Sequence, residues 1–196
     1  ADLCTIEESC DFLEKVPARQ PFMGTSCCPA WSVMAKKLFP EFKDYISMAL
    51  TPMVITARMV KKAHPDAQIC FIGPCAAKKL EANRRSVRSD VDYVLTFEEL
   101  QGMFDAKKIV PAEIEADESE SMHEGSAMGR GYAVGGGVAA AVVETIKQLD
   151  PDREVPTDYG DGLRECRKML AMAKAGKRNG YLLEGMACPG GCVAGA

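Results

Sequence analysis

The sequence predicts an α/β fold in which short, partly parallel strands are flanked by helices. Short apolar runs such as Ala67 to Ile72 alternate with longer amphipathic stretches, and Pro or Gly separates them. The 196 residues are enough for one sizeable core, and 47% apolar with 27% charged residues is an ordinary globular balance. We therefore interpret residues 1–196 as one domain, with sub-lobes at 1–65 and 66–196 and a crevice between two lobes.

Helices are predicted where capping signals precede amphipathic stretches. Thr5 and Glu8 have the spacing of a capping box, so the first helix is expected from about Thr5 to Val16. Thr96 and Glu99 repeat this spacing and predict a helix that ends near Asp105. Further helices are expected over about 29–39, 52–64, 138–149 and 163–175, and prolines begin the first two.

The stretches between these helices predict strands and loops. Strands are expected over 22–26, 67–72, 92–95 and 181–185, with 67–72 buried. Residues 111–124 are acidic and predict a solvated loop, and residues 150–161 predict a polar connection. The glycine-rich stretch 125–137 has no Gly-Lys-Ser/Thr, so close backbone packing is favoured there over nucleotide binding.

Charge and cysteine content exclude several classes of protein. A net charge of −4 disfavours nonspecific nucleic-acid binding, and the absence of an 18-residue apolar run argues against membrane insertion. Nine cysteines, an odd number, favour a cytoplasmic protein over an exported one with closed disulfides. The chain begins at Ala1 without a signal segment, which indicates a fragment, a processed chain or a trimmed one.

The cysteines separate into two groups. Cys4, Cys10, Cys70 and Cys166 lie within predicted helices or strands and are interpreted as core residues or incidental ones. The other group stands beside Pro or Gly in loops that follow predicted strands. Its members are Cys27, Cys28, Cys75, Cys188 and Cys192. Because such loops converge at one edge of a parallel sheet, four or five thiols are expected to meet.

The spacing of these loop cysteines favours an iron–sulfur cube over zinc. Only Cys188 and Cys192 form a close pair, whereas zinc sites usually use paired knuckles. A 4Fe–4S cube needs four thiolates and accepts them from separate loops. Zinc and catalytic or unligated thiols are the alternatives at this point.

Three stretches resemble, in order, the three signature motifs of the iron-only (FeFe) hydrogenases. They are Thr25–Trp31 (TSCCPAW), Gly73–Glu81 (GPCAAKKLE) and Glu184–Cys192 (EGMACPGGC). The resemblance implies an enzyme that catalyses 2H⁺ + 2e⁻ ⇌ H₂. It also implies a 4Fe–4S cube bridged by a cysteine to a two-iron subcluster with CO, CN and dithiolate ligands.

The resemblance further implies roles for individual residues. Cys27 corresponds to a thiol that passes protons to the subcluster, and Lys78 to an ammonium that donates a hydrogen bond to a cyanide ligand. Met186 and Pro52 correspond to residues beside the two-iron unit. The implied cube ligands, with Cys192 as the bridge, are Cys28, Cys75, Cys188 and Cys192.

The same resemblance implies a proton path from water to Cys27. Glu8 and Asp11, three residues apart on one helix face, and Ser47 correspond to its members. Asp11 stands where a Glu is more usual, so this step of the relay is one methylene shorter.

Several features depart from the family pattern. Gly73 stands where a Met is usual, and Met53 stands where a Gln often follows Pro52, which is closer to less familiar branches that include hydrogen sensors. Only 26 residues precede Cys27, fewer than in the family pattern. The chain is therefore expected to be a fragment, a reduced version of the family's domain, or a chain whose two-iron pocket is completed by a partner. The alternatives are a non-catalytic iron–sulfur relative that acts in cluster assembly and a hydrogen-sensing module.

The expected partners follow from what the chain lacks. The closely spaced four-cysteine run of ferredoxins is absent. Electrons are therefore expected from a carrier such as ferredoxin, or through further iron–sulfur domains. Maturation proteins are expected to build the two-iron unit, and neither nucleic acid nor a membrane is an expected partner.

Overall fold

A computed structural model describes residues 1–115 and 124–195, and it confirms the mixed α/β class. Within these ranges the strands are short, and they pair in parallel to form two sheets. The first sheet has the order β1 (Met23–Gly24), β5 (Leu182–Met186), β4 (Thr157–Asp161), and the second pairs β2 (Cys70–Ile72) with β3 (Tyr93–Leu95).

Helices pack around both sheets, with α1 against α7 and α8 against β4 and β5. Their ranges are α1 (Asp2–Lys15), α2 (Pro29–Leu38), α3 (Pro52–Ala63), α4 (Ala77–Ala82), α5 (Phe97–Lys107), α6 (Ala127–Gly131), α7 (Gly137–Leu149) and α8 (Leu163–Lys174). Pro29 and Pro52 stand in the first turns of α2 and α3, as predicted. Proline is tolerated there because the first N–H groups of a helix have no carbonyl partner within the helix, so the N–H that proline lacks is not needed.

Two apolar cores correspond to the two sheets. The larger core contains fully buried Trp31, Leu182 and Leu183, and all of β5 is buried. The smaller core contains Met53 and Val54 of α3 and packs beneath β2 and β3. The predicted division at residue 65 stays a prediction, although β1 from the first stretch pairs in register with β5 from the second.

The two predicted capping boxes have different outcomes. The Thr96 box is confirmed, since its Oγ1 accepts from the Glu99 N–H at 3.3 Å and the Glu99 carboxylate accepts from the Thr96 N–H at 2.9 Å. The Thr5 box is wrong, because α1 already begins at Asp2. The Thr5 hydroxyl donates back to the Asp2 carbonyl at 2.6 Å, and the Glu8 carboxylate binds a different segment.

Two strand predictions also need correction. Residues 157–161, assigned to a polar connection, form β4, an edge strand in which only Gly160 is buried, so its sequence carries no apolar run. Strand β2 is not buried as predicted, because the second sheet is covered mainly on one face. Ile72 is 43% exposed and Cys70 is exposed.

The remaining expectations have mixed outcomes. Cys4 and Cys166 are core residues as predicted, but Cys10 and Cys70 lie at the surface. The close packing predicted for the glycine-rich stretch is confirmed, since a Cβ on Gly137 would overlap the Gly131 carbonyl. Residues 116–123, most of the predicted acidic loop, lie outside the described residues. Every helix in the described part of the chain is too short or too polar to cross a bilayer.

Candidate metal centre

Four of the predicted loop cysteines line one cavity of about 190 Å³. Three loops contribute them: Cys28 caps α2, Cys75 follows β2, and Cys188 and Cys192 follow β5. Apart from these thiols, the lining is almost entirely apolar and includes Met186. The structure thus places together the four thiols that the sequence assigns to the cube.

Local contacts explain why these loops face the same cavity. The Trp31 indole N–H donates to the Thr25 carbonyl at 3.0 Å and ties the start of α2 to β1, which fixes Cys28. Gly190 and Gly191 have φ of 87° and 91°, and such a turn directs Cys188 and Cys192 to the same side.

The cavity suits a cluster better than a single ion. Within residues 1–115 and 124–195, no three His, Cys, Asp or Glu side chains are placed as one metal ion would need them. Thiolates around a zinc ion all lie about 2.3 Å from one centre, whereas those around a cube bind separate irons. A space of about 190 Å³ between four thiols therefore fits a 4Fe–4S cluster.

Burial and neighbouring thiols raise the pKa of Cys188 and of Cys192. Burial, then Cys28 and Cys75, raises the pKa of Cys192 to about 11, and Lys78 partly opposes this. Burial, then Cys75 and Cys28, also raises the pKa of Cys188. Because a cationic cluster would replace the thiol protons and relieve this repulsion, the donor set is suited to metal rather than to free thiolates.

A second cavity, of about 250 Å³, adjoins the first. Cys75, Cys192 and Met186 line both cavities. The second cavity additionally contacts residues that the sequence assigned to the two-iron site. These are Cys27, Pro52 and Lys78. The structure thus places a fifth thiol and an ammonium beside the four-cysteine cavity.

Lys78 is a buried residue of the short helix α4, which the sequence did not predict. Its ammonium donates to Glu81 Oε2 at 2.7 Å and to the Cys27 carbonyl at 3.2 Å. The Thr51 hydroxyl donates to the other Glu81 oxygen at 3.0 Å. This network holds the ammonium at the cavity, and Lys78 is only 7% exposed, so it is not an ordinary surface lysine.

The Cys27 thiol is buried near two buried acids, Glu8 and Glu184. Burial, followed by Glu8 and Glu184, raises its pKa well above the usual range, while Lys78 acts in the opposite direction. The thiol therefore retains its proton at neutral pH. Because Cys27 lines the second cavity, an acceptor that lies there could take this proton.

Glu8 and Ser47 are buried, with Glu8 hydrogen-bonded to the residue before Cys27, and Asp11 lies nearer the surface. The Glu8 carboxylate accepts from the Ser26 N–H at 2.9 Å, and burial raises its pKa to about 8. The Ser47 hydroxyl donates to Asp11 Oδ2 at 3.0 Å and also lowers the pKa of Glu8. Asp11 pairs with Lys15 at 2.6 Å, so these groups form a polar line from Glu8 toward solvent.

Glu184 is a buried acid near the site to which sequence reasoning gave no role. It is completely buried in β5, and burial raises its pKa to about 7. Its carboxylate accepts from the N–H groups of Gly136 and Ala139, at 3.0 and 2.7 Å, at the start of α7. The one available signal was a charged residue inside an apolar strand.

With this geometry in place, comparisons with known proteins become informative. The family described as the iron only hydrogenase large subunit, C-terminal domain, matches residues 1–196. The chain belongs to this family. The sequence-based assignment to the iron-only hydrogenases is therefore confirmed.

Curated relatives of this iron-only hydrogenase domain include enzymes and assembly factors. Iron hydrogenase 1 of Clostridium pasteurianum is 28% identical over 100% of this chain and 41% of its own length. The periplasmic Fe hydrogenase large subunit of Nitratidesulfovibrio vulgaris is 27% identical over 100% of this chain and 56% of its own length. The chain thus spans about half the length of these relatives.

The cytosolic Fe–S cluster assembly factor of Kluyveromyces lactis is 33% identical over 90 residues, which cover 46% of this chain and 19% of that protein. Among solved structures, the apo FeFe-hydrogenase of Chlamydomonas reinhardtii has a TM-score of 0.76 and 22% identity, and the match covers 100% of this chain and 67% of that one. This match shows a shared fold. The cytoplasmic location stays a prediction, since these relatives are named as both periplasmic and cytosolic.

Proposed function

We propose that this hydrogenase-family domain catalyses 2H⁺ + 2e⁻ ⇌ H₂. The observation that carries the proposal is the adjacency of two cavities, one lined by four thiols and the other by the Cys27 thiol and the Lys78 ammonium. When bound, a 4Fe–4S cube and a two-iron subcluster with CO, CN and dithiolate ligands would supply electron storage and the metal at which protons and electrons combine.

The first cavity would hold the cube and keep it dry. The proposed ligands include Cys192 as the bridge, which is the role that the family resemblance implies, and its position in the lining of both cavities is consistent with that role. Apolar side chains such as Met186 fill most of the remaining lining and exclude water. The complete ligand set is Cys28, Cys75, Cys188 and Cys192.

Lys78 would bind an anionic ligand of the subcluster. An ammonium has three donors, and the contacts with Glu81 and the Cys27 carbonyl use two of them. The third can donate into the second cavity, which Lys78 lines. Pro52 and Met186, on other sides of that cavity, would restrict where the subcluster lies.

Cys27 would deliver protons to the second cavity, and Glu8 would restore them. A pKa of about 8 allows the Glu8 carboxyl to gain and lose a proton near neutral pH. Ser47 and Asp11 would connect Glu8 to solvent, since they share a hydrogen bond and Asp11 is partly exposed. This assigns a proton-carrying role to each polar group along the line.

Cluster assembly without hydrogen turnover is the second candidate function. The 33% identity to a cytosolic Fe–S cluster assembly factor favours it, although that match covers 46% of the chain. Such a protein needs the four-cysteine cavity but no proton-carrying thiol. The buried Cys27 and its neighbour Lys78 therefore favour the catalytic candidate.

The proposed function also requires partners. Electrons would come from a carrier such as ferredoxin or from further iron–sulfur domains, and maturation proteins would insert the two-iron unit. An electron donor must approach the first cavity closely, because the cube would receive the electrons there.

The test is to mature the protein anaerobically and measure its metal content, infrared spectrum and hydrogen evolution with a reduced low-potential carrier. We expect iron and sulfide, carbonyl and cyanide stretches, and hydrogen. A cube signal without these stretches or hydrogen would favour assembly, and zinc with little iron would contradict both candidates. Cys28→Ala is expected to lose iron, whereas Cys70→Ala, at an exposed cysteine, is the matched control that retains it.

A further inference from the structure

We propose that Glu184 is a positioning residue: its carboxylate holds the segment Ala133–Gly137 against β5 and thereby fixes the loop that carries Cys192. The inference rests on the proposed function, in which Cys192 is the bridging ligand. It gives a role to a buried charge that neither the cube nor the proton path uses.

The first step is the contact between Glu184 and α7. Both carboxylate oxygens accept backbone N–H groups, from Gly136 at 3.0 Å and from Ala139 at 2.7 Å. Gly136, the N-cap of α7, has φ of 81° and no side chain to cap the helix. Glu184 caps it from another element, and the negative charge is favourable at a helix N-terminus.

The second step leads from this segment to the Cys192 loop. The Gly135 N–H donates to the Gly190 carbonyl at 3.1 Å, and the Val193 N–H donates to the Ala133 carbonyl at 3.3 Å. A Cβ on Gly191 would lie 2.5 Å from the Ala133 carbonyl, so the two backbones are in close contact. The segment therefore binds the chain on both sides of Cys192.

The third step is the wall of the second cavity. Ala133, the first residue of the same segment, and Tyr132, which precedes it, line this cavity together with Cys192 and Met186. A shift of the segment would move both the bridging sulfur and the part of the cavity wall that Ala133 forms. Glu184 would thus control two edges of the proposed two-iron site without touching it.

The cost of burying Glu184 supports a positional role. A carboxylate inside an apolar strand is expensive to desolvate unless strong hydrogen bonds compensate. Backbone N–H groups provide this compensation, and both hydrogen bonds form only at one distance and orientation. A charged group held this way fixes geometry more tightly than an apolar side chain would.

The experiment compares Glu184→Gln and Glu184→Asp with a control, Glu165→Gln. Glu165 is a carboxylate in the first turn of α8 and contacts exposed Lys168 and Arg164. The proteins are reconstituted with iron and sulfide, and the reduced cube's EPR spectrum and midpoint potential are measured at about pH 8.5, where a carboxyl with a pKa of about 7 is ionised. Hydrogen evolution per inserted two-iron unit is measured after maturation.

Both Glu184 variants are expected to alter the EPR spectrum and to lower hydrogen evolution per two-iron unit at least about tenfold, since a misplacement of about 1 Å can cost roughly 10²-fold. Gln keeps the length but replaces one acceptor, and Asp keeps the charge but lacks one methylene of reach. The control should match the unmutated protein. Gly191→Ala should reproduce the EPR change, because it separates the same two backbones while Glu184 is intact.

Three outcomes would overturn the inference. If Glu184→Gln alone shifts the potential and Glu184→Asp behaves as unmutated, Glu184 acts through its charge. If both variants lower only the melting temperature, or if Gly191→Ala folds with an unchanged EPR spectrum, Glu184 does not position Cys192. If the unmutated protein fails to evolve hydrogen, that result contradicts the proposed function. The EPR spectrum of the cube would still test the role of Glu184 in that case.

Discussion

The two sheets differ in how deeply they are buried, although both supply the site. In the β1-β5-β4 sheet, every residue of β5 is buried between helices. In the β2-β3 sheet, Ile72 is 43% and Tyr93 56% exposed. The first sheet leads into the loops of Cys28, Cys188 and Cys192, and the second into the loop of Cys75 alone.

This difference shows that the four-cysteine cavity has one firm side and one weaker side. Parallel sheets are usually covered on both faces, and β5 of the first sheet follows that rule, although the edge strand β4 does not; neither strand of the second sheet follows it. Segments with few buried apolar contacts open at lower free energy than a protein's core. The Cys75 side should therefore loosen first when metal is removed or denaturant is added.

The largest expected effect is on turnover, at the end of the firm sheet. Cys27→Ala should lower hydrogen evolution by about 10² to 10⁴-fold, the usual contribution of a positioned acid–base group. Iron content and the infrared bands should be unchanged, because Cys28 and not Cys27 is the proposed ligand. Hydrogen evolution, iron analysis and infrared spectroscopy on the same preparation check this.

The control is Cys70→Ala, which replaces an exposed thiol of β2. Cys27→Ser should recover little activity, because a hydroxyl releases its proton far less readily than a thiol. Joint loss of iron, bands and activity in Cys27→Ala would mean that Cys27 is structural. Unchanged activity would remove the assignments of Glu8, Asp11 and Ser47 as well.

The next effect compares the stability of the two sheets directly. Leu183→Ala, at a fully buried position of β5, should lower the free energy of unfolding by about 2–5 kcal/mol. Ile72→Ala, at an exposed position of β2, should cost less than about 1 kcal/mol, since little apolar area leaves the core. Urea denaturation measures both, and equal losses would refute the unequal burial of the two sheets.

The buried acids on the firm side, Glu8 and Glu184, should make the free energy of unfolding depend on pH. Burial raises the pKa of Glu8 from 4.5 to about 8, so the folded state favours the protonated carboxyl. This stabilisation is complete below about pH 4.5 and is lost as the pH rises through about 8. The free energy of unfolding should therefore fall with rising pH across this window.

Glu184, with a pKa raised to about 7, contributes with the same sign, so Glu8→Gln should reduce the slope without removing it. Urea unfolding at about pH 5 and about pH 8.5 measures this change. Asp66→Asn, at an exposed turn, is the control that should retain the full slope. An identical slope in Glu8→Gln would show that Glu8 is not protonated in the folded protein.

The smallest expected effect is a gain in the free energy of unfolding from a substitution on the weaker side. Gly102 lies inside the exposed helix α5, where an added Cβ would meet no atom within 4 Å. Gly102→Ala should raise the free energy of unfolding by about 0.5–1 kcal/mol, because alanine loses less backbone entropy on folding. The contrasting change is Gly185→Ala in β5, where a Cβ would overlap the Trp31 ring and destabilise the fold. Thermal denaturation should show a higher melting temperature for Gly102→Ala, and a lower one for Gly185→Ala, than for the unmutated protein.

Elements with local signals could be predicted from the sequence. Pro29, Pro52 and the Thr96 capping box gave helix starts because these effects act within a few residues. Strand β4 was not predicted, because an edge strand with one buried residue has no apolar pattern. Helix α4 escaped because six residues are too few for a helical period to be visible.

The candidate site shows the same division. The meeting of the cysteine loops was predicted, and for Cys28, Cys188 and Cys192 the reason is strand ends in one parallel sheet. The loop of Cys75 follows a strand of the other sheet, so its approach depends on how the two sheets pack, which the sequence does not show.

The burial of Lys78 was expected only through the family resemblance. A lysine whose neighbours in the sequence are charged, as Lys79 and Glu81 are, usually lies at the surface. The role of Glu184 was invisible, because its partners are backbone N–H groups of Gly136 and Ala139, far away in sequence.

The order of the four cavity cysteines along the chain has a consequence for synthesis. Cys192 leaves the ribosome roughly 160 residues after Cys28, about 10–30 s later at ordinary elongation rates. During that interval Cys28 and Cys75 have no cavity to share, and their thiols are open to oxidation or to stray metal. A cluster held by all four cysteines, as proposed, could therefore be inserted only after the last of these loops has been translated.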